Sequence, residues 1–431
     1  MFATNGSLHI LSKEQGVYEK TEDFLIMNGL IFGNSLPASH GDEHRKQKKM
    51  IGPVFSPAHM REILPTCYKV VYTLRDSIKK QIDLAAWMEA LATSLDALTE
   101  NAPEAPIHDF NQESGALPRF RRFFLDIVPW PKLHAIRDMV DVMDATAKEI
   151  LGQAQKSLKA GDEVDILSIL LRTNMLASEE ERLPDSDLLG QIGSITFAGM
   201  DTTSNSLSRT LHLLSEHHEV QRRLREELQE ARMKRGGEDP SFEELMTLPY
   251  LDAVCKEVLR LYAPVPFLLR RVRTDMIMPL HTPIQTSFDP KQKLNEIFVP
   301  KDTTIIMSLI GCNRNVDVWG EDAAEWKPER WLEPLRESVV GAKVPGVYSH
   351  LMTFLGGGRA CVGVKFAQLQ MKVVLSTLVE SFTFAPGSKE IIWQFNGVIQ
   401  PTTKDAGTTS TGHRKLQLPL KLEIVEKEDV L

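Results

Sequence analysis

The 431-residue sequence predicts a mostly α-helical fold with a small β part. Apolar residues recur at helical spacing from about residue 62 onward, whereas strand-like runs are few and short. No long linker, repeat or low-complexity tract divides the chain, so one large domain over 1–431 is expected in place of the several that its length alone would allow.

Helical spacing marks 62–90, 133–159, 164–173, 186–217, 220–234, 250–262 and 364–380. Strand patterns mark 303–309, 393–399 and 416–424. Stretches 99–116, 236–241 and 401–413 read as irregular connections. The helix over 186–217 would be about 48 Å long at 1.5 Å per residue, enough to cross a whole domain. Its centre, Ala198-Gly199-Met200-Asp201-Thr202-Thr203, sets a glycine, an acid and two β-branched hydroxyls into an otherwise apolar helix. Low propensity and hydroxyl competition for backbone carbonyls predict a bend or an opening there.

A composition of 42% hydrophobic and 25% charged residues is that of a soluble globular protein with a sizeable core. The formal charge of -8 argues against nucleic acid as a partner. Cys67, Cys255, Cys312 and Cys361 have no paired spacing, which points away from a disulfide framework and toward a reducing compartment. No C-x-x-C or H-x-x-x-H suggests zinc. No apolar run approaches the ~18 residues of a membrane span, and the first thirty residues lack the pattern of a signal peptide, so the chain by itself reads as soluble.

The most informative segment is Phe354-Leu355-Gly356-Gly357-Gly358-Arg359-Ala360-Cys361-Val362-Gly363, which runs straight into the predicted helix over 364–380. A thiolate that approaches a large flat ligand needs glycines, so that backbone N–H groups can face the sulfur, and a cation for the ligand's acidic groups. Gly356, Gly357, Gly358 and Gly363 meet the first need and Arg359 the second. Phosphate binding, which also uses a glycine-rich turn before a helix, fits poorly: Cys361 stands where G-x-G-x-x-G has its third glycine, and no Gly-Lys-Ser/Thr follows.

The spacing Phe354-x-x-Gly357-x-Arg359-x-Cys361-x-Gly363 resembles the haem-ligand signature of the cytochrome P450 superfamily. The resemblance implies a single-domain P450 fold with a long central helix over haem b (iron protoporphyrin IX), Cys361 as the axial iron ligand and Arg359 on a haem propionate. The segment Ala198-Gly199-x-Asp201-Thr202-Thr203 is similar to the family's oxygen-binding groove. By that likeness Gly199 leaves room for dioxygen, and Asp201 and Thr202 relay the protons that its cleavage consumes in a site that otherwise excludes water. Glu257-x-x-Arg260 and the Arg330 of Pro328-Glu329-Arg330-Trp331 match the family's three-way ion pair behind the haem, a structural role; Asn313, Arg314, Trp319, Gly320 and Asp322 match its intervening run and read as loop and turn residues. His44 and Lys48 stand where an aromatic residue and a base reach a haem propionate, and Arg270 or Arg271, with Arg271 slightly favoured, would hold the other.

As a member of that family the chain would be a monooxygenase that takes electrons from NADPH through a separate flavoprotein reductase. Basic residues around His44 would steer this acidic electron donor. Mostly apolar segments at 35–41, 123–133, 188–197 and 265–269 suit a lipophilic substrate. Similarity to filamentous-fungal members implies a terpenoid, another secondary metabolite or a xenobiotic, and attachment to the cytoplasmic face of the endoplasmic reticulum membrane. Two regions depart from the family pattern: the N-terminal anchor, proline-rich hinge and first sheet strands are missing ahead of His44, and 82–118 looks abbreviated. The other readings are a haem-thiolate isomerase or dehydratase, against which Asp201-Thr202 counts, and a truncated haem-binding protein without turnover.

Overall fold

The computed structural model describes residues 10–11, 16–81, 131–160, 166–285, 293–409 and 413–425. Thirteen α-helices and nine strands are found among them. The N-terminal part carries β1 (Tyr18–Glu19), α1 (Glu22–Phe32), α2 (Gly41–Ile51) and α3 (Pro57–Gln81). Acids Asp42 and Glu43 open α2 and bases Lys48 and Lys49 close it, which complements the helix dipole at both ends. Helices α4 (Pro131–Ala160), α5 (Ile166–Leu176), α6 (Asp185–Glu216) and α7 (His218–Lys234) follow. Next come α8 (Phe242–Thr247), started by a Ser241/Glu244 capping box, and α9 (Pro249–Leu261), started by a proline at its first position.

Strands β2 (Phe267–Val272), β3 (Met276–Gln285), β4 (Lys293–Val299) and β5 (Thr304–Ser308) lead into three one-turn helices, α10 (Leu309–Asn313), α11 (Val316–Trp319) and α12 (Glu337–Gly341). Helix α13 (Val364–Ser381) and strands β6 (Phe382–Pro386), β7 (Ile391–Asn396), β8 (Val398–Thr403) and β9 (Leu420–Ile424) complete the chain. All described pairings are antiparallel: β1-β2-β5 form one sheet, and β3-β4, β6-β9 and β7-β8 form three ladders.

Helix α6 is the axis of the molecule and packs against α1, α4, α7, α9, α13, β6 and β8. The main core gathers apolar faces of α3, α5, α6, α9 and α13. A second cluster, with Tyr18, Val272, Met307 and Met352, lies under the β1-β2-β5 sheet. The end of α1 crosses α6 at Gly190, where a Cβ would stand 2.5 Å from the Phe32 carbonyl oxygen. Only glycine allows that approach.

The central helix does not open at its centre: α6 runs unbroken from Asp185 to Glu216. Its hydroxyls bond backward inside the helix instead of competing with it, Thr202 to the Ala198 carbonyl at 2.8 Å, Ser206 to Thr202 at 2.9 Å and Thr210 to Ser206 at 2.8 Å. The strand expected over 393–399 is two strands, β7 and β8, because Gly397 (φ 73°) turns the chain back in a conformation that glycine adopts freely. The strand expected over 416–424 starts only at Leu420, after Pro419. The helix expected over 62–90 starts earlier, at Pro57; beyond Gln81 it lies outside the described residues, as does 99–116.

Candidate active site

Cys361 sits at the end of a short 3-10 turn, Gly357–Arg359, just before α13. The turn is locked from below: the Cys361 N–H donates to the Phe354 carbonyl at 2.9 Å, and the Val347 N–H to the Leu355 carbonyl at 2.9 Å. A Cβ on Gly356 would lie 1.8 Å from the Pro345 carbonyl oxygen, so the two strands of the loop touch backbone to backbone there. Gly357 takes a φ of 64°. The Cys361 sulfur lies close to the N-terminal end of α13, where backbone dipoles favour a thiolate. Its surface opens on a cavity while protein encloses it on other sides, and that enclosure pushes the thiol above its ordinary value; the Gly363 N–H and the Lys48 ammonium act in the opposite direction.

The cavity measures about 850 Å³. Among the residues predicted from sequence, His44, Gly199, Asp201, Thr202, Arg271, Phe354, Arg359, Cys361 and Gly363 line it. Lys48 and Gly357 do not. Lys48, expected at a carboxylate of the cofactor, donates to the Gly358 carbonyl at 2.7 Å and the Ala360 carbonyl at 3.2 Å, and so braces the cysteine turn from α2. A Cβ on Gly199 would meet only Phe366, at 3.8 Å, so the protein itself does not demand glycine there; the side-chain space belongs to the cavity.

One wall carries concentrated positive charge. Arg359 donates to Glu19 at 2.9 Å and to the Ser39 carbonyl at 3.3 Å. Arg270 and Arg271, neighbours on β2, part company. Arg271 pairs outward with Asp302 at 3.2 Å and reaches Glu22 at 3.9 Å. Arg270 is buried, its one hydrogen bond shown is to the Leu269 carbonyl, and burial followed by the nearby Arg359 pulls it down to about 10. Both border the cavity, Arg270 as the more buried of the two and Arg271, the one favoured from sequence, with its guanidinium engaged by Asp302. Lys20, which the sequence did not single out, lines the same wall, and burial and then Arg359 pull its ammonium down to about 7. His44 is buried beside them and pushed down to about 3, first by burial and then by Arg359, so its ring is neutral at pH 7.

On the α6 wall, Asp201 is buried and raised to about 6 by burial, against hydrogen bonds from Gln400 at 3.3 Å and Asn205 at 2.9 Å. No motif pointed to Gln400 or Asn205. Apolar side chains supply the remaining lining, among them Phe197, Val265 and Leu268 from the segments expected to face a lipophilic molecule, and Phe24, Met27 and Phe32 from α1, which the sequence reading did not include. Positions 123–130 of those segments lie outside the described residues.

Behind the site, Glu257 and Arg260 are fully buried and paired at 2.7 and 2.8 Å, with Arg330 at 3.4 Å and the Trp331 N–H at 2.9 Å also on Glu257. Arg260 also donates to the carbonyls of Asn313, Ala323 and Glu325. Asn313 in turn bonds the Met352 N–H at 2.7 Å and Thr353 at 2.8 Å, which places the triad one residue from the base of the cysteine loop. Asn313 and Asp322, read from sequence as turn residues, are thus parts of the scaffold, Asp322 through its 3.0 Å bond from Arg330.

The sequence matches the cytochrome P450 family over residues 31–405. Cytochrome P450 monooxygenase 91 of Postia placenta is 42% identical over 462 aligned positions, spanning 97% of this chain and 83% of that one. Ganoderic acid synthetase CYP5150L8 of Ganoderma lucidum is 38% identical over 91% of this chain and 80% of its own. The chain belongs to the cytochrome P450 family. The fold agrees: the crystal structure of the P450 CYP102L1 superimposes with a TM-score of 0.70 over 98% of this chain and 92% of that one at 20% identity, and retinoic acid bound cyanobacterial CYP120A1 with 0.66 over 97% and 87% at 22% identity. This P450 is an enzyme of the monooxygenase class, with haem as its cofactor. The alignment to monooxygenase 91 is longer than the whole chain, so that relative carries internal residues which this P450 lacks.

The residues present fit haem. The cavity has one thiol on its wall and, among the described residues, no three His, Cys, Asp or Glu side chains converge to hold a metal, so an iron here would bring its other ligands with it in the porphyrin. Arg359, Arg270 and Lys20 have Glu19 as their neighbouring carboxylate among the described residues, and suit a ligand that carries further ones. No described helix is long and apolar enough to cross a membrane.

Proposed function

We propose that this P450 inserts one oxygen atom of O2 into a lipophilic secondary metabolite, with electrons from NADPH through a reductase, at the endoplasmic reticulum membrane. One observation carries the reading: Cys361 and the Asp201-Thr202 pair open on one cavity whose lining, apart from the cationic wall, is largely apolar. When bound, haem supplies the redox chemistry that activates dioxygen and oxidises a C–H bond, the second oxygen leaving as water. Cys361 would be the protein's ligand to its iron, with Arg359 and Arg270 on the carboxylates. The name of the Ganoderma relative, a ganoderic acid synthetase, supports a secondary metabolite as substrate.

The chain's own part in proton delivery follows from α6. Two donors converge on Oδ1 of Asp201, so Oδ2 is left to carry a proton. Raised to about 6, this acid is a proton donor at mildly acidic pH and readily recharged at neutral pH. Thr202, the next residue, lines the cavity and anchors its hydroxyl on Ala198, which leaves the oxygen able to accept and pass a proton. The surrounding apolar side chains exclude water that would otherwise supply protons without control.

Reduction of the haem-loaded protein under carbon monoxide tests the ligand. The wild type should show the strongly red-shifted Soret band of thiolate ligation and Cys361→Ala should lose it. Thr202→Ala should keep the band while diverting electrons to peroxide; unchanged coupling in that variant would remove the relay role.

A further inference from the structure

We propose that Lys20 is a proton-coupled part of the cofactor site: it becomes fully protonated as haem binds and serves as the third cation for the haem carboxylates. This rests on the haem reading above. The charges on the wall carry it. Arg270 and the side chain of Arg359 are buried, and among the described residues Glu19 is the carboxylate beside them, bonded to Arg359 and close to Arg270. Two propionates bring the acids to three, and three cations balance them only when Lys20 is charged.

The groups that face Lys20 come from every neighbouring element. Arg359 projects from the cysteine turn, Arg270 from β2, Glu19 from β1 and His44 from α2, while Asp23 borders the cavity at the exposed start of α1. With two arginines beside it and His44 neutral, Lys20 is destabilised as a cation by the protein alone, and new carboxylates reverse the sign of that field. Its Nζ is already placed, donating to the carbonyls of Pro37 at 2.7 Å and Leu36 at 3.1 Å. The third contact, to the Ser39 carbonyl at 3.5 Å, is at the limit of a hydrogen bond, so that N–H can turn to a carboxylate. Lys48 is no substitute, since it does not line the cavity and its ammonium braces the Gly358 and Ala360 carbonyls of the cysteine turn.

The test is calorimetric titration of haem into apoprotein in phosphate and in an amine buffer that holds the same pH, Tris at pH 8 and Bis-Tris at pH 6, whose different ionisation enthalpies reveal the protons taken up. The proton that Cys361 releases on ligation is common to wild type and variants and cancels in the difference. At pH 8 the wild type should take up close to one proton more than Lys20→Met or Lys20→Arg, and at pH 6 the difference should nearly vanish. Lys20→Arg, always charged, keeps near wild-type affinity, whereas Lys20→Met loses about tenfold or more. Haem dimethyl ester, which lacks the carboxylate charges, should abolish the difference. Equal proton counts at pH 8, or a difference that persists with the ester, overturn the proposal alone; a wild type that binds no haem overturns the cofactor reading with it.

Discussion

Gln400, on strand β8, donates a hydrogen bond of 3.3 Å to the carboxylate of Asp201, 199 positions earlier in the middle of α6. The contact ties the C-terminal hairpin to the proposed proton-delivering acid. Together with Asn205 it restrains the upward shift that burial imposes on that acid.

That shift has a stability consequence whose sign is fixed. Asp201 is raised from 3.8 to about 6, so its contribution to stability is present below pH 3.8 and lost as pH rises through 6. Asp201→Asn removes the loss. Urea unfolding at pH 7.5 should find the variant about 2–3 kcal/mol more stable than wild type, converging near pH 4, while turnover falls.

Glu257→Ala leaves Arg260 buried without the carboxylate it pairs with, held by backbone carbonyls alone, and takes acceptors from Arg330 and Trp331 as well. A loss of about 3–5 kcal/mol is expected, with soluble yield and haem retention falling together. Denaturant unfolding of whatever folds, compared with Glu257→Gln, checks it.

Two glycine substitutions should separate cleanly. In Gly356→Ala the methyl collides with the Pro345 backbone, and the cysteine loop cannot close, so haem-free and haem-bound protein are both destabilised. In Gly199→Ala the methyl meets only Phe366 at ordinary contact distance. Circular dichroism should find this second variant folded like wild type, with ligand-binding spectra showing the reduced cavity.

Lys48→Met tests the bracing role. Losing two charge-assisted bonds to a partly exposed turn should destabilise the protein by about 1 kcal/mol. Affinity for haem and for its dimethyl ester should drop alike, since the lysine holds the loop and not the carboxylates. A loss confined to haem would assign it to the cofactor instead.

Long helices were legible because burial on one face imposes a period on many residues, as in α6 and α7. The cysteine turn was legible because its chemistry needs glycine, arginine and thiol within ten positions. Strands β3 and β4 were not: Pro279 and Pro283 interrupt the alternation of β3, and the ladder shifts register between Pro279 and Ile284. The difference between Arg270 and Arg271 could not be read because it depends on burial within the sheet and on Asp302, thirty-one positions further along, which engages Arg271. Lys20 carried no local signal at all; its meaning comes from Arg359, over three hundred residues away, and from the carbonyls of the loop after α1.

The carbonyls that satisfy Arg260 arrive from positions 313, 323 and 325, fifty to sixty-five residues further along the chain. With α9 docked and that later stretch absent, the guanidinium would keep Glu257 but lack its three carbonyl acceptors. Such a species is penalised, so assembly of this half of the molecule is pushed toward all-or-none behaviour. The loop bearing the thiol is tied to Asn313 through Met352 and Thr353, so its placement depends on the same late stretch of chain.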